Sequence, residues 1–327
     1  DTVRAVCDMS PTMLRRRARA RDGGDPLVGA GAMSVRLPVR TPFAYEGLFG
    51  HLAATAVPGV EEVRDGTYRR TMRLPHGTGV VGLTPHPGHV QCRLVVDEFR
   101  DVSAAIARCR RLLDLDADPE AVVEALGADD HLAPLVTKAP GQRIPRTVDE
   151  HELAVRVVLG QQVSTAAART HAARLVSAYG DCVSDSAGGL THLFPSVAQL
   201  SDIDTRHLAF PASRQRTLTT LIAALSNAEV VLDSGCDWQV ARQQLLALPG
   251  IGPWTAEMIA MRGLGDPDAF PATDLGVAAA ARHVGLPSAP KPLSEHARAW
   301  RPWRSYATQH LWTALDHAVN QWPPKEK

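Results

Sequence analysis

The chain has 327 residues, longer than a usual single domain, so two or three units with their own cores are expected. Its 35 Lys and Arg balance 35 Asp and Glu, which excludes a broad polycationic coat for nucleic acid and leaves any grip on an anion to local features. The five cysteines are scattered with no CxxC pair, which argues against a zinc site or a disulfide framework, and nothing reads as a signal peptide or membrane span, so a reduced, cytosolic protein is expected.

Residues 1–28 read as the end of a helical unit followed by a linker, with Ser10-Pro11 as a helix start and Asp22-Gly23-Gly24-Asp25-Pro26 as the break. Arg15, Arg16, Arg17, Arg19 and Arg21 suit either phosphate contact or a solvated helix end. Residues 29–102 hold the strand-like stretches. Met33 to Val39, Thr67 to Leu74 and Gln91 to Val96 alternate, and Val80 to Leu83 is a shorter apolar run. One helix, around Tyr45 to Val57, interrupts them. A small antiparallel sheet with one or two helices is predicted.

From Ser103 the period becomes helical, with Ala105, Ile106, Cys109, Leu112 and Leu113 on one face, and residues 103–327 read as helices between Pro/Gly breaks. The fold class is therefore α+β: a sheet unit, then a mostly helical region. Thr147-Val148-Asp149-Glu150 fits a capping box, starting a helix that is interrupted at Gly160. A second helix follows from about Ser164 to Tyr179. Gln161 and Gln162 fall in the junction, where they either project from a rigid base or merely solvate the bend.

Leu248-Pro249-Gly250-Ile251-Gly252 runs straight into Pro253-Trp254-Thr255, with Asp274 twenty-two residues beyond Gly252. Two glycines one residue apart permit positive φ and close backbone approach to a ligand. Proline suits a helix's first turn, and the free N–H groups backed by the helix dipole suit a phosphate. Asp274 precedes a helix-length run, Leu275 to Arg282, so it reads as an N-cap as well as a candidate acid. Both roles are compatible, because a helix N-terminus favours negative charge. The thirteen histidines form no metal set, and His86 and His89 bracket a Pro87-Gly88 loop.

This hairpin and aspartate resemble the helix-hairpin-helix plus Gly/Pro/Asp signature of base-excision DNA glycosylases. Val158 to Ser164, Phe194-Pro195, Met261-Arg262-Gly263 and Trp300 to Ala307 look, in the same order, like the 3-methyladenine DNA glycosylase II (AlkA) family. The resemblance spans roughly residues 33 to 323. It implies a TATA-binding-protein-like sheet unit followed by the helical helix-hairpin-helix glycosylase domain, whose two helical subdomains enclose a cleft. It implies that Asp274 is catalytic, that Phe43, His51, Gln161, Trp254, Met258 and Trp303 line the base pocket, and that Gln162, Leu248, Pro249, Gly250, Ile251, Gly252 and Thr255 contact DNA. No cofactor is required; a monovalent cation (Na or K) held by the main-chain carbonyls of Leu246, Leu248 and Ile251 is expected when DNA is bound. The four-cysteine iron–sulfur cluster of some glycosylases has no counterpart, since no cysteine follows Cys236.

The chain departs from the family pattern at several points. His51 and Gly47 stand where cleft aromatics are usual, Met258 where a tyrosine is, and Gln162 where an apolar wedge, usually leucine, fills the vacated base stack. Trp254 occupies the position that strand-cutting relatives give to lysine, and an indole forms no Schiff base. Residues 1–17 look like the end of an AraC-type helix-turn-helix, as in fusions of the adaptive-response regulator Ada to this glycosylase, so an upstream Ada-type domain is expected.

The expected function is a monomeric, monofunctional glycosylase of base excision repair that removes alkylated bases such as 3-methyladenine and 7-methylguanine from duplex DNA. It is expected in the bacterial cytoplasm, at the nucleoid. With one firm carboxylate and no evident general acid, cationic lesions that leave as neutral bases are the expected substrates. The alternatives are a glycosylase for oxidised or mismatched bases, which Trp254 and Trp303-Arg304-Ser305-Tyr306 argue against, and a non-catalytic DNA-binding module of a regulator, which base release distinguishes.

Overall fold

The structure is a computed structural model describing residues 32–204, 210–315 and 317–323; the expected helix-turn-helix remnant and linker at 1–28 lie outside them. A five-stranded antiparallel sheet opens the fold, in the order β1-β5-β4-β3-β2: β1 Met33–Pro38, β2 Glu61–Arg64, β3 Thr67–Arg73, β4 Thr78–His86 and β5 His89–Val96. Alternation decides which face is buried. Val35 and Leu37, Tyr68 and Met72, and Val90, Cys92 and Leu94 all point to one core, covered by α1 (Glu46–Thr55) and α2 (Val102–Leu112).

Two strands differ from expectation. The charged stretch Glu61–Arg64 is a strand because the Asp65-Gly66 turn, with φ of 49° and 69°, folds it back on β3. The run at 80–83 extends to nine residues, because Pro87-Gly88 turns β4 onto β5 in register His86↔His89.

The helical region has two cores. One is built around α5 (Glu150–Leu159), α6 (Thr165–Tyr179), α8 (Ala212–Ser226), α9 (Trp238–Leu246) and α10 (Pro253–Ile259), with α7 (Val197–Leu200) at its edge. The other joins α3 (Pro119–Gly127), α4 (Ala133–Lys138), α11 (Leu275–His283), α12 (Pro290–His296) and α13 (Arg304–Thr313). The chain then returns to the sheet unit, where the Trp322 ring packs 5.2 Å from that of Phe49.

The α5 cap is shifted from the sequence reading. Asp149, not Thr147, is the N-cap, accepting the Glu152 N–H at 2.9 Å; the Thr147 hydroxyl accepts from the Asp149 N–H instead. Asp is as good an N-cap as Thr, and it is one helical turn from its N3 donor.

Sheet and helices are joined by buried charges. Arg70 of β3, on the core face, pairs with Glu61 at 3.3 Å and with Glu152 of α5 at 2.7 Å. Arg156, one turn further along α5, pairs with the same two carboxylates, each at 2.9 Å.

Candidate active site

Asp274 is the N-cap of α11, its Oδ1 accepting the Val277 N–H at 2.8 Å. The carboxylate does more than cap. Oδ1 also accepts the Trp312 indole N–H at 2.9 Å, and Oδ2 accepts that of Trp254 at 2.8 Å. Three N–H donors on three helices thus fix both oxygens, an arrangement preorganised for charge chemistry. Gly276 makes the Trp312 contact possible, since a Cβ there would sit 3.0 Å from Asp274 Oδ1 and 3.2 Å from the indole.

Beside the carboxylate lies a cleft of two adjoining cavities of about 280 and 290 Å³. They share His51, Thr55, Thr165 and Arg262; Trp254 and Met258 line the first, and Asp274, Gln309 and Trp312 the second. The sheet unit contributes to this cleft through α1, which carries His51.

His51 is paired with Arg262. The Arg262 Nη1 donates to His51 Nε2, and a guanidinium has only donors, so the ring proton sits on Nδ1. Burial, then the charges of Arg262 and Arg156, hold the imidazole well below its usual pKa, so His51 is neutral at pH 7. Burial also pulls Arg262 down to about 10, against the pull of Asp274. The guanidinium lies 4.9 Å over the Trp312 ring, within cation–π range.

Three of the expected pocket residues stand elsewhere. Trp303 packs edge-on to Tyr306, 5.7 Å away, and lines neither cavity; the tryptophans at the carboxylate are Trp254 and, near the end of α13, Trp312. Phe43 packs against Tyr45 and beneath the Arg143 guanidinium, also outside both cavities. Gln161 spends its amide on the hairpin, donating to Gly250 O at 3.1 Å and to Thr255 Oγ1 at 3.0 Å. Thr255 is consequently turned inward and buried, and its backbone N–H has no backbone acceptor among the described residues. At Gly47 a larger side chain would first meet Gln142 and Thr313, each 3.3 Å from a Cβ.

The hairpin has the shape of a phosphate grip. Gly250 is at φ +84°, and a Cβ there would fall 1.9 Å from Thr217 Oγ1, so α8 seals its inner side. Ile251 N–H closes the turn onto Leu248 O at 3.1 Å. Among the described residues the N–H groups of Gly250, Gly252 and Thr255 make no backbone hydrogen bond, nor do the carbonyls of Leu246 and Ile251 accept one. Those carbonyls, with the second lone pair of Leu248 O, therefore suit a hard cation.

Gln162 stands fully out of the α5–α6 junction in the left-handed region, φ +56°. Glutamine rarely adopts that conformation unless its surroundings impose it. If Gln162 takes the wedge position that the family resemblance gives it, Gln162→Leu is expected to tighten binding to abasic-site DNA severalfold and Gln162→Ala to weaken it. Equal affinities of all three proteins in a fluorescence titration would leave Gln162 as a residue of the bend only.

Sequence inspection missed Trp312, Arg262 and Gln309. Arg262 lies within the Met261-Arg262-Gly263 motif, a signal in the sequence; Trp312 and Gln309 carry none.

The fold matches a solved 3-methyladenine DNA glycosylase from Archaeoglobus fulgidus with a TM-score of 0.73, over 85% of this chain and 97% of that one, at 21% identity. The class is thus set by fold: an antiparallel sheet unit and a two-core helical region shared with that structure. Residues 34–149 match the AlkA N-terminal domain family. DNA-3-methyladenine glycosylase 2 of Escherichia coli (strain K12) is 32% identical over 292 residues, 87% of this chain and 97% of that protein. The chain belongs to the DNA-3-methyladenine glycosylase 2 (AlkA) family. A "probable bifunctional transcriptional activator/DNA repair enzyme AlkA" of Mycobacterium tuberculosis is 68% identical over all 327 residues, and this chain spans 66% of its length. Among the described residues no helix is long and apolar enough to cross a membrane.

Proposed function

We propose that this chain is a monofunctional DNA glycosylase that flips alkylated bases out of duplex DNA and hydrolyses their N-glycosidic bonds, leaving abasic sites. The observation that carries this reading is the Asp274 carboxylate, fixed by three N–H donors at the edge of a base-sized cleft. Breaking the bond builds positive charge at C1′, which a fixed carboxylate stabilises in a cleft of low dielectric. Water then adds to C1′, with Asp274 taking its proton. Trp254 and Trp312 offer faces or edges to an electron-poor base, and the damaged base costs less than a normal one to unstack.

In this reading the N–H groups of Gly250, Gly252 and Thr255 hold a DNA phosphate. Sodium or potassium on the carbonyls of Leu246, Leu248 and Ile251 adds a positive charge there when DNA is bound. The protein acts as a monomer in the cytoplasm, and the bifunctional relative supports a regulatory domain upstream.

The test is single-turnover release from matched duplexes. 3-Methyladenine and 7-methylguanine should be released faster than 8-oxoguanine, and strands should break only after alkali. With Trp254 in the lysine position, borohydride added during turnover should trap no protein–DNA adduct. Faster release of 8-oxoguanine, or an abundant trapped adduct, overturns the assignment.

A further inference from the structure

The cleft contains a cation that the chemistry of cationic lesions does not need. Arg262 lines both cavities. Its Nη1 is spent on the neutral His51, its Nε is buried without a partner, and among the described residues its guanidinium joins no salt bridge. Asp274, the opposing charge that acts on it, has its oxygens taken up by two indoles and a backbone N–H. Arg262 is therefore an under-compensated positive charge held in place over the Trp312 ring in the cleft.

We propose that Arg262 is a specificity-determining residue that stabilises the departing base when the lesion is neutral, extending the site to neutral purines at some expense to cationic ones. This rests on the glycosylase reading above. For a neutral purine the C1′–N9 bond breaks with its electron pair on the base, which leaves as an anion. Water gives its hydroxyl to C1′, and its proton ends on that base. A guanidinium beside the developing anion lowers this barrier, as a preorganised donor does for an oxyanion. For a 7-alkylated purine the base leaves neutral, the water's proton passes through Asp274 to solvent, and the same guanidinium repels the incoming cation. His51 positions Arg262 through Nε2, and its Nδ1 proton is the further donor that this tautomer provides.

The experiment compares single-turnover release of hypoxanthine and of 7-methylguanine from the same duplex by the wild-type chain, Arg262→Gln and Arg262→Lys. In Arg262→Gln the hypoxanthine rate should fall about hundredfold while the 7-methylguanine rate rises, and Lys should restore most of the ratio. Because the readout is a ratio on one protein, loss of folded enzyme cancels. A ratio unchanged in Arg262→Gln overturns the proposal. Wild-type protein that releases 7-methylguanine but no hypoxanthine overturns it too, and leaves the glycosylase reading standing; release of neither base sinks that reading instead.

Discussion

Asp274→Asn should lose base release by about two orders of magnitude or more, the scale of removing one preorganised electrostatic group, while its affinity for abasic-site DNA changes little. The substitution is nearly isosteric, and Asn is itself a good N-cap. The Asn carbonyl can keep the Val277 and Trp312 N–H bonds. Its amide, however, faces the Trp254 indole N–H now held at 2.8 Å from Oδ2, donor against donor. Leaving that indole unpaired costs about 1–3 kcal/mol, so a modest loss of stability should accompany the loss of activity. Near-normal single-turnover rates in the variant would return Asp274 to a helix cap.

Arg70→Ala should destabilise the protein by about 3–5 kcal/mol, the usual consequence of removing one partner from a buried ion pair. Glu61 and Glu152 would be left with Arg156 alone. Glu61 also shows which way pH acts. Burial pushes its pKa up, but the charges of Arg156 and Arg70 and the hydrogen bonds from Tyr68 and the Val57 N–H outweigh burial, so the folded pKa lies below the usual value. A depressed carboxylate pKa stabilises fully above the unfolded pKa, and that stability is lost as pH falls through the folded one. Without Arg70 the carboxylates are held less firmly ionised. Denaturant unfolding should therefore show the largest gap between wild type and variant near pH 7, narrowing below pH about 4 as unfolded glutamates protonate. A gap under about 1 kcal/mol at pH 7 would mean that Arg156 alone neutralises the pair.

These two residues also mark the limit of what was legible in the chain. Asp274 was found because its first role is local: its side chain reaches the N–H three residues ahead, and the glycine hairpin stands at a fixed distance before it. Arg70 was not, because it sits in a strand whose alternation says only that it faces inward. Its partner Glu152 is 82 residues away. The departures at His51 and Met258 were likewise legible, and both residues line the cleft, whereas Phe43 and Trp303 pack against Tyr45 and Tyr306 and line neither cavity.

Sequence by itself determined the elements whose physics closes within a few residues. The strand alternation, the Ser164 cap of α6, the positive φ of Gly250, the proline opening α10 and the cap at Asp274 all depend on neighbours one to four positions apart. The tertiary structure decided whatever depends on which helix faces meet. Trp303 caps α13 and Trp312 lies in its last turn, and nothing local says which indole turns toward a carboxylate 38 residues back in the chain. The Arg262–His51 pair joins residues 211 positions apart, and Gln161 became a strut because the hairpin 89 residues later packs beneath it. Side-chain direction within an element follows from its period, but the partner that an outward-pointing group meets is set by the packing of three separate cores.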